Sequence, residues 1–312
     1  MLNRRKFISQ SAFTAGAMFT GSSLLTELLE EQTAYTLTIL HTNDVHSRID
    51  PYPMDGSRNQ GLGGVAARAD LIGKIRKEQE HVLLFDAGDI FQGTPYFNLY
   101  KGEPEIKAMT SMKYDAATVG NHDFDAGLEN LANQLTNHGN FPMIICNYDF
   151  TGTPMEYKHI PYKIFKKGKL RVGVFGVGIE LKSLVPDNLA AGTIYLNPIQ
   201  KANQMADVLK NNKNCDLIVC LSHLGYQYRD NTVSDVQLAE KSENIDLIIG
   251  GHTHTFLNAP VTRKNRLGKD VIINQVGFSG IILGRLDFDF SKIRKKKLSN
   301  SEALRVIIKT GE

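Results

Sequence analysis

The chain has 312 residues, of which 42% are hydrophobic and 22% charged, as in an ordinary soluble globular protein. Its net charge of +3 is small, so a nucleic-acid partner is not expected. The densest basic run, residues 294–297, is expected to be a solvated turn. Cys146, Cys215 and Cys220 form no Cys-x-x-Cys pair, which argues against a thiolate zinc site. Their odd number argues against a disulfide framework, and we expect them to pack in the core.

The N-terminus has the layout of an export signal. Arg4, Arg5 and Lys6 precede a weakly apolar stretch rich in Ala, Gly, Ser and Thr. The run Asn-Arg-Arg-Lys-Phe-Ile resembles the twin-arginine signal, in which paired arginines precede an aromatic and an aliphatic residue. Residues 1–33 are therefore predicted to be a signal segment that directs a folded domain, residues 34–312, to the periplasm or the cell exterior. A soluble basic helix is the alternative interpretation.

Strand and helix patterns alternate along the rest of the chain, without a fixed-period repeat or a low-complexity linker. The predicted strands are residues 35–40, 81–88, 115–120, 142–146, 162–165, 170–177, 215–223, 245–254, 270–275, 281–290 and 303–308. The predicted helices are residues 65–79, 103–112, 128–137, 198–210 and 233–241. This order predicts a single α/β domain with two sheets and outer helices.

Five of the predicted strands run into polar residues of the kinds that bind metals. These residues are Asp44 and His46, then Asp89, then Asn121, His122, Asp123 and Asp125, then His223, and finally His252 and His254. A single histidine after a strand usually satisfies a local hydrogen bond. Five strand ends with this composition are different, because unpartnered buried carboxylates are costly and a cluster of them implies cations.

The residue types and spacings also indicate which cation the site takes. Mixed imidazole and oxygen ligands without thiolates favour Zn, Mn, Fe or Co. Asp44 and His46 are two residues apart, so an extended backbone would turn both side chains to one side. His252 and His254 share that spacing and can reach neighbouring metals if the backbone turns between them. Gly88 precedes Asp89 and would allow a close approach of the backbone.

These motifs resemble those of the calcineurin-like metallophosphoesterases, and within them the catalytic domain of bacterial 5′-nucleotidases and UDP-sugar hydrolases. The matching segments are Asp44-x-His46, Gly88-Asp89-x-x-Gln92-Gly93, Gly120-Asn121-His122-Asp123, His223 and Gly251-His252-x-His254. The resemblance covers roughly residues 35 to 310. It implies a four-layer α-β-β-α sandwich with two mixed sheets, forming a single catalytic domain.

The resemblance also implies roles for the residues at the strand ends. Two divalent metal ions would be bound, with Asp89 bridging them. The first would be held by Asp44, His46, Asp89 and His254, and the second by Asp89, Asn121, His223 and His252. His122 would act on the phosphoryl group, and Asp125 would orient it. The implied reaction is hydrolysis of a phosphate monoester, above all a 5′-nucleotide, by a hydroxide that bridges the metals.

Two features depart from the family pattern. Many 5′-nucleotidases have an amide residue where this chain has His254. They also continue into a C-terminal domain that grips the nucleoside, whereas this sequence ends at Glu312, so a separate nucleoside-binding polypeptide is a further expectation. Exposed apolar residues after the Gly88-Asp89 motif would be candidates for its contact surface, and local packing is the alternative; they are Phe91, Tyr96, Phe97 and Tyr100.

Three other functions remain open from the sequence. Hydrolysis of cyclic nucleotides and the sulfur chemistry of thiosulfohydrolases use the same fold and motifs. A non-enzymatic metal-binding subunit of a complex is the third possibility, but a purely structural metal site would not need the pair formed by His122 and Asp125.

Overall fold

The structure, a computed structural model, describes residues 33–291 and 295–307. The predicted signal therefore lies outside the described residues, apart from its last residue, Thr33, where the first strand begins. Within the described part of the chain, no helix combines the length and apolar character needed to cross a membrane.

The described residues form fifteen strands and six α-helices. The strands are β1 (Thr33–Thr42), β2 (Val82–Asp86), β3 (Ala116–Ala117), β4 (Met143–Ile144), β5 (Tyr148–Asp149), β6 (His159–Ile160), β7 (Tyr162–Lys167), β8 (Leu170–Gly178), β9 (Ile194–Tyr195), β10 (Leu217–His223), β11 (Leu247–Gly250), β12 (Val261–Lys264), β13 (Asp270–Asn274), β14 (Ile282–Ser291) and β15 (Lys296–Arg305). The helices are α1 (Val65–Glu78), α2 (Pro95–Tyr100), α3 (Glu103–Ser111), α4 (Gly127–His138), α5 (Pro198–Asp207) and α6 (Asp235–Lys241). A 3-10 turn covers His122–Phe124, and a π-helical turn, Val208–Asn212, extends α5.

Two mixed sheets face each other. The first has the order β15-β14-β1-β2-β3-β4-β6, in which β1 to β4 and β6 are parallel and β14 and β15 are antiparallel additions. The second has the order β12-β13-β11-β10-β8-β7, with the four central strands parallel. The predicted hairpin that joins residues 162–165 to 170–177 is confirmed as β7 and β8.

Three hydrophobic clusters separate the layers. Side chains such as Leu37, Phe85, Val174 and Leu221 fill the space between the two sheets. A second cluster packs α1, α3 and α4 on the outer face of the first sheet, and a third packs α5 and α6 on the outer face of the second. Successive side chains of a buried strand therefore point to opposite faces of the sheet and pack in two different hydrophobic clusters, as the pleat of a sheet requires. The expected four-layer α-β-β-α sandwich is confirmed, and all three cysteines are free and buried.

The structure corrects two local expectations. Helix α2 was not predicted from the sequence. Thr94 directly precedes it and Pro95 is its first residue, a position at which proline is common in helices. Because α2 folds back on the core, Phe91 and Phe97 are almost fully buried, and local packing is the correct interpretation for both. Tyr100 is 51% exposed, as expected.

The last strand also begins earlier than predicted. Lys296 and Lys297 open β15 instead of forming a turn, because β14 extends to Ser291 and pairs with them. Arg294 lies outside the described residues. Long lysine side chains suit this edge position, where one side of the strand faces solvent.

Candidate functional site

The polar residues named from the sequence lie together at one edge of the sandwich. Strands β1, β2 and β3 are adjacent and parallel in the first sheet, and β10 and β11 are adjacent and parallel in the second. Their carboxyl ends therefore point the same way within each sheet, and the loops that follow them meet. This arrangement explains how positions far apart in the sequence converge.

The backbone at the site is unusually strained. Asp44, His46, Asp89, His252 and His254 all have positive φ angles, between 49° and 73°. Residues with a Cβ atom rarely adopt this left-handed region, and several of them in one place mark a functional site. The extended conformation expected at Asp44 and His46 is therefore wrong. The left-handed turns bring the two side chains together instead.

Backbone hydrogen bonds hold the strained loops against each other. The N–H groups of Asp44 and His46 donate to the carbonyl oxygens of Gly88 and Asp89, at 2.9 and 3.0 Å. The N–H of His252 donates to the carboxylate of Asp44 at 3.0 Å, which ties the second sheet to the first. These contacts extend the pairing of strands beyond the sheets and fix the ligand positions.

Two glycines make the close approach of these loops possible. A Cβ atom on Gly88 would lie 2.6 Å from the backbone nitrogen of Gly120. A Cβ on Gly120 would lie 2.1 Å from Oδ1 of Asp89. Any larger residue at either position would push the loop after β2 away from the loop after β3.

The candidate ligands form two groups. Asp44, His46 and His254 offer ligand atoms that all lie within 4.8 Å of one another. In this group, Nε2 of His254 lies 3.3 Å from Oδ1 of Asp44 and 2.9 Å from Nε2 of His46. His254 is 41% exposed, so the first group opens to solvent.

The second group comprises Asp89, His223 and His252, again with ligand atoms within 4.8 Å of one another. Oδ1 of Asn121 lies 2.8 Å from Nδ1 of His252, which adds an amide oxygen to this group. Oδ2 of Asp89 is 3.1 Å from Nε2 of His223 and 3.8 Å from Nε2 of His46. Asp89 therefore stands between the two groups.

His223 gives the sharpest indication that this donor set fits a cation. Its Nδ1 atom donates to the carbonyl oxygen of Ala87 at 2.6 Å, which directs the lone pair of Nε2 into the site. Nε2 is fully buried and makes no hydrogen bond, although the Asp89 carboxylate is adjacent. Burial opposes a positive charge here, yet the Asp89 carboxylate raises the pKa of His223 to about 10. A positive charge between these two atoms, either a proton on Nε2 or a metal ion that replaces it, satisfies both of them.

His252, His46 and Asp89 are held in the ionisation states that bind metals. Burial lowers the pKa of His252 to about 4, and burial also lowers the pKa of His46. Burial opposes ionisation of Asp89, but the imidazoles of His223 and His46 hold the pKa of this carboxyl well below its usual range. Neutral imidazoles beside an ionised carboxylate are the ligand forms that divalent metals prefer.

His122 and Asp125 lie beside both groups. The His122 ring is edge-on to His46, with centroids 5.3 Å apart, and its backbone N–H donates to Oδ1 of Asp89 at 2.8 Å. Nδ1 of His122 lies 2.8 Å from Oδ2 of Asp125, and this hydrogen bond raises the pKa of His122. The imidazole is 40% exposed, so it is accessible to a substrate at the site.

Sequence reasoning missed the role of Asp123. Its buried carboxylate accepts hydrogen bonds from four backbone N–H groups of the two loops that follow β2 and β3; they belong to Asp89, Ile90, Phe91 and Gly120. Burial and the charge of Asp89 raise the pKa of Asp123 to about 7, while the N–H groups oppose this shift. The only sequence signal was its place directly after Asn121 and His122.

Asn43 and Gln275 are two further positioning residues. The Asn43 amide donates to the Asp44 carboxylate at 2.7 Å and to the carbonyl of Gly277 at 2.6 Å. The Gln275 amide oxygen accepts from the N–H of Thr255 at 2.6 Å, and its nitrogen donates to the carbonyl of Gly251. Gln275 thus braces the loop that carries His252 and His254, and Asn43 ties Asp44 to the segment at Gly277.

Comparison with known proteins identifies the family. Residues 37–256 match the family described as calcineurin-like phosphoesterase. The snake venom 5′-nucleotidase of Crotalus adamanteus is 34% identical over 276 residues, which are 82% of this chain and 46% of that protein. The 5′-nucleotidase of Bos taurus is 36% identical over 231 residues, which are 72% of this chain and 39% of that protein.

A solved structure agrees with these relatives. The 5′-nucleotidase precursor from Thermus thermophilus superposes with a TM-score of 0.77 at 32% identity, over 88% of this chain and 55% of that one. The chain thus spans about half the length, or less, of the relatives that it matches. The chain belongs to the calcineurin-like phosphoesterase family.

Proposed function

We propose that this chain hydrolyses phosphate monoesters, and specifically 5′-nucleotides, with the help of two divalent metal ions. The observation that carries the proposal is the position of Asp89, whose carboxylate stands between two groups of ligand atoms. Paired divalent ions that share a carboxylate are typical of phosphatases. The relatives are named as 5′-nucleotidases, which supports the substrate class.

Each metal site has a ligand set of its own. Asp44, His46 and His254 would hold one ion together with Asp89; Asn121, His223 and His252 would hold the other, again with Asp89. Zn, Mn, Fe and Co suit these nitrogen and oxygen donors. When bound, the two ions supply Lewis-acid activation of water and neutralise charge on the phosphate.

The chain's own residues supply positioning and proton transfer. The strained loops hold the ligands in place before the substrate arrives, so little reorganisation is needed during the reaction. His122 presents Nε2 to the substrate because Asp125 engages Nδ1. In the proposed mechanism, Nε2–H donates to a phosphoryl oxygen or protonates the leaving oxygen. Asp125 fixes the tautomer that makes this possible.

The test measures the product that the full chain forms from each substrate: phosphate from AMP, AMP from cyclic AMP, and sulfate from an S-sulfonated thiol. The protein is stripped of metal by chelation, reconstituted with Zn, Mn, Fe or Co, and assayed with AMP, cyclic AMP and an S-sulfonated thiol. We expect phosphate release from AMP with at least one metal and none from the metal-free protein. Preferential turnover of cyclic AMP or of the sulfur substrate would instead support the corresponding alternative. No turnover with any metal would support a binding subunit.

We also propose that the chain is exported through its twin-arginine-type N-terminus. Paired guanidinium groups are the feature that this pathway recognises, so Arg4→Lys combined with Arg5→Lys should block export. Lys167→Arg, at the end of strand β7, is a control substitution that leaves the signal intact. Cell fractionation with immunodetection measures the result. Normal delivery of the Arg4→Lys/Arg5→Lys variant would contradict the proposal.

A further inference from the structure

A groove of about 470 Å³ opens at the edge of the sandwich opposite the candidate metal site. It lies where β11 and β13 begin, whereas His252 and His254 follow the end of β11. The start of β15 and the π-helical turn after α5 complete the lining, which includes none of the candidate metal ligands. Clefts of this size hold small molecules in many proteins. A ligand in this groove would therefore bind away from the proposed reaction centre.

The walls of the groove are apolar because two hydrophobic clusters reach it. Ile245 belongs to the cluster packed under α5 and α6, and Phe288 belongs to the cluster between the two sheets. Ile272 and Leu298 pack against the cluster between the sheets, and both are only half-buried. An apolar ligand group in the groove would remove more of their surface from water, which is favourable.

The groove also carries positive charge that the protein does not neutralise. Four lysines and two aspartates line it; they are Lys210, Lys269, Lys296, Lys297, Asp246 and Asp270. Lys296 pairs with Asp246 at 2.5 Å, and Asp270 pairs at 2.8 Å with Lys264, which does not line the groove. Both aspartates are thus engaged, while the other three lysines form no ion pair with any residue in the described ranges. This charge distribution favours an anionic ligand.

Asn265 adds a hydrogen-bond donor to the same lining. Its Oδ1 atom accepts from the backbone N–H groups of Leu267 and Lys269, at 2.9 and 3.0 Å, which fixes the orientation of the amide. The residue is only 6% exposed, and its Nδ2 atom has no hydrogen-bond partner within the described part of the chain. A buried donor without an acceptor is costly, so an acceptor atom of a ligand would be stabilising here.

Contacts between the two sheets hold the groove in shape. Nζ of Lys296, in β15 of the first sheet, donates to the carbonyl oxygen of Asp216 at 3.0 Å, directly before β10 of the second sheet. Asp246, the ion-pair partner of Lys296, also accepts the N–H of Ile218 in β10 at 2.9 Å. Because these contacts already fix the walls, a ligand would lose little affinity to ordering of the site.

We infer that this groove binds a small amphipathic anion, a carboxylate with an apolar chain. The carboxylate would accept from Nδ2 of Asn265 and pair with Lys269, whose N–H contacts the same amide. The apolar chain would cover Ile272 and Leu298. An anion without a chain would leave the apolar walls exposed to water, and an uncharged chain would leave the lysines unpaired. The inference concerns a second site, and it does not depend on the proposed reaction.

Calorimetric titration of the full chain compares three probes, which are octanoate, 1-octanol and acetate. The metal-free protein is used because a carboxylate would also coordinate a bound metal ion. Octanol lacks the charge of octanoate, and acetate lacks its chain. We expect octanoate to bind, octanol to bind more weakly by about tenfold or more, and acetate to give no measurable heat.

Two substitutions test the polar end of the site. Asn265→Asp keeps the Oδ1 acceptor that the turn requires but removes the amide donor and adds a like charge. It should weaken octanoate binding by about tenfold or more, the usual effect of one lost hydrogen bond to a charged group. Lys269→Gln should weaken it by about twofold to fivefold, since exposed ion pairs are weak. Asn140→Asp and Lys163→Gln are the matched controls at exposed positions outside the groove, and should bind as the wild type does.

The thermal midpoint of each variant, measured by circular dichroism, shows whether it folds. If Asn265→Asp does not fold, Lys269→Gln still decides, because Lys269 is exposed. Octanoate binding no tighter than that of acetate would overturn the inference, and so would equal affinities for octanoate and octanol. Wild-type octanoate affinity in the folded groove variants would place the ligand elsewhere on the protein. No turnover is measured, so failure of the proposed function would leave this test unaffected.

Discussion

Nδ1 of His122 lies 2.8 Å from Oδ2 of Asp125, so a carboxylate that belongs to neither ligand group orients the His122 imidazole, which packs edge-on against His46. His122→Ala should retain both metals but slow turnover by about two to four powers of ten, the usual effect of one acid–base or electrostatic group. Asp125→Asn should have a smaller effect, because it disturbs only the tautomer and orientation of His122. Steady-state kinetics with AMP and elemental analysis of the same samples measure both quantities.

His138→Ala is the matched control for His122, since this histidine ends α4 and lies outside both ligand groups. Its kcat should equal that of the wild type. A fully active His122→Ala enzyme would remove the pair formed by His122 and Asp125 from the mechanism. Loss of metal from that variant would instead indicate that His122 supports the ligands.

Asp89 is the ligand that both metal sites are proposed to share. Asp89→Ala should therefore lower the metal content from about two ions per chain to one or none and abolish activity. Elemental analysis of the dialysed protein measures the content. Asp230→Ala, which removes an exposed carboxylate, should leave the content unchanged. Two tightly bound ions in Asp89→Ala would contradict the ligand assignment.

The sequence predicted the architecture because hydrophobic periodicity and strand order determine it. Apolar runs such as residues 215–223 and 281–290 indicated buried strands, and both are strands in the structure. The polar residues at strand ends could be selected for the same reason, since parallel strands bring their carboxyl ends to one edge. The structure brings all seven candidate ligands to that edge, while their binding of metal stays a prediction.

The local geometry of the site could not be predicted, because it depends on contacts between distant segments. The left-handed backbone at Asp44 and His46 is held by hydrogen bonds to residues 88 and 89. The burial of Phe91 and Phe97 likewise follows from how α2 packs on the core. The groove at the opposite edge combines segments near residues 210, 245, 265 and 297, and no local pattern relates them.

Substitution of Asp123 tests whether a residue that supports the ligand loops, without being a candidate ligand itself, determines metal affinity. Its two carboxylate oxygens each accept two backbone N–H groups. In Asp123→Asn, the side-chain NH2 group would face one of these two pairs of backbone N–H groups. The two N–H groups of that pair would then be buried without an acceptor, at a cost of about 1–3 kcal/mol of folding free energy each. Asp123→Asn should therefore lower the thermal midpoint and weaken metal binding, which titration calorimetry with Zn measures.

Asp149→Asn is the control for Asp123, because Asp149 accepts the N–H of Thr151 in a turn outside the site. It should leave metal affinity unchanged. If Asp123→Asn lowers stability but binds metal as the wild type does, Asp123 serves the fold alone.

Because the carboxyl of Asp235 is buried, we expect the free energy of unfolding to depend on pH in a way that is separate from catalysis. It is fully buried, accepts from Oγ of Ser222 at 2.5 Å, and its Oδ2 has no hydrogen-bond partner among the described residues. Burial raises the pKa of Asp235 to about 8; the charge of His223 opposes this shift, and that of Asp44 adds to it. The carboxyl is thus neutral in the folded protein at pH values where it is ionised in the unfolded chain.

This difference sets the direction of the effect. From about pH 4, where an unfolded Asp ionises, to about pH 8, folding requires Asp235 to take up a proton. The free energy of unfolding should therefore fall as the pH rises through this window, by up to about 1.4 kcal/mol per pH unit from this group. Asp235→Asn stays neutral in both states, so its stability should fall less steeply than that of the wild type.

Urea unfolding at pH 5, 6, 7 and 8 measures how steeply the free energy of unfolding falls with pH. The metal-free protein is used because pH-dependent release of bound metal would otherwise add to this slope. Asp230→Asn is the control. Asp230 is exposed, and backbone and side-chain hydrogen bonds with Thr232 lower its pKa, so this group is ionised in both states across the whole range. Its removal should leave the slope unchanged. Parallel stability curves for Asp235→Asn and the wild type would mean that Asp235 is already ionised in the folded protein, with a cation or a water on Oδ2.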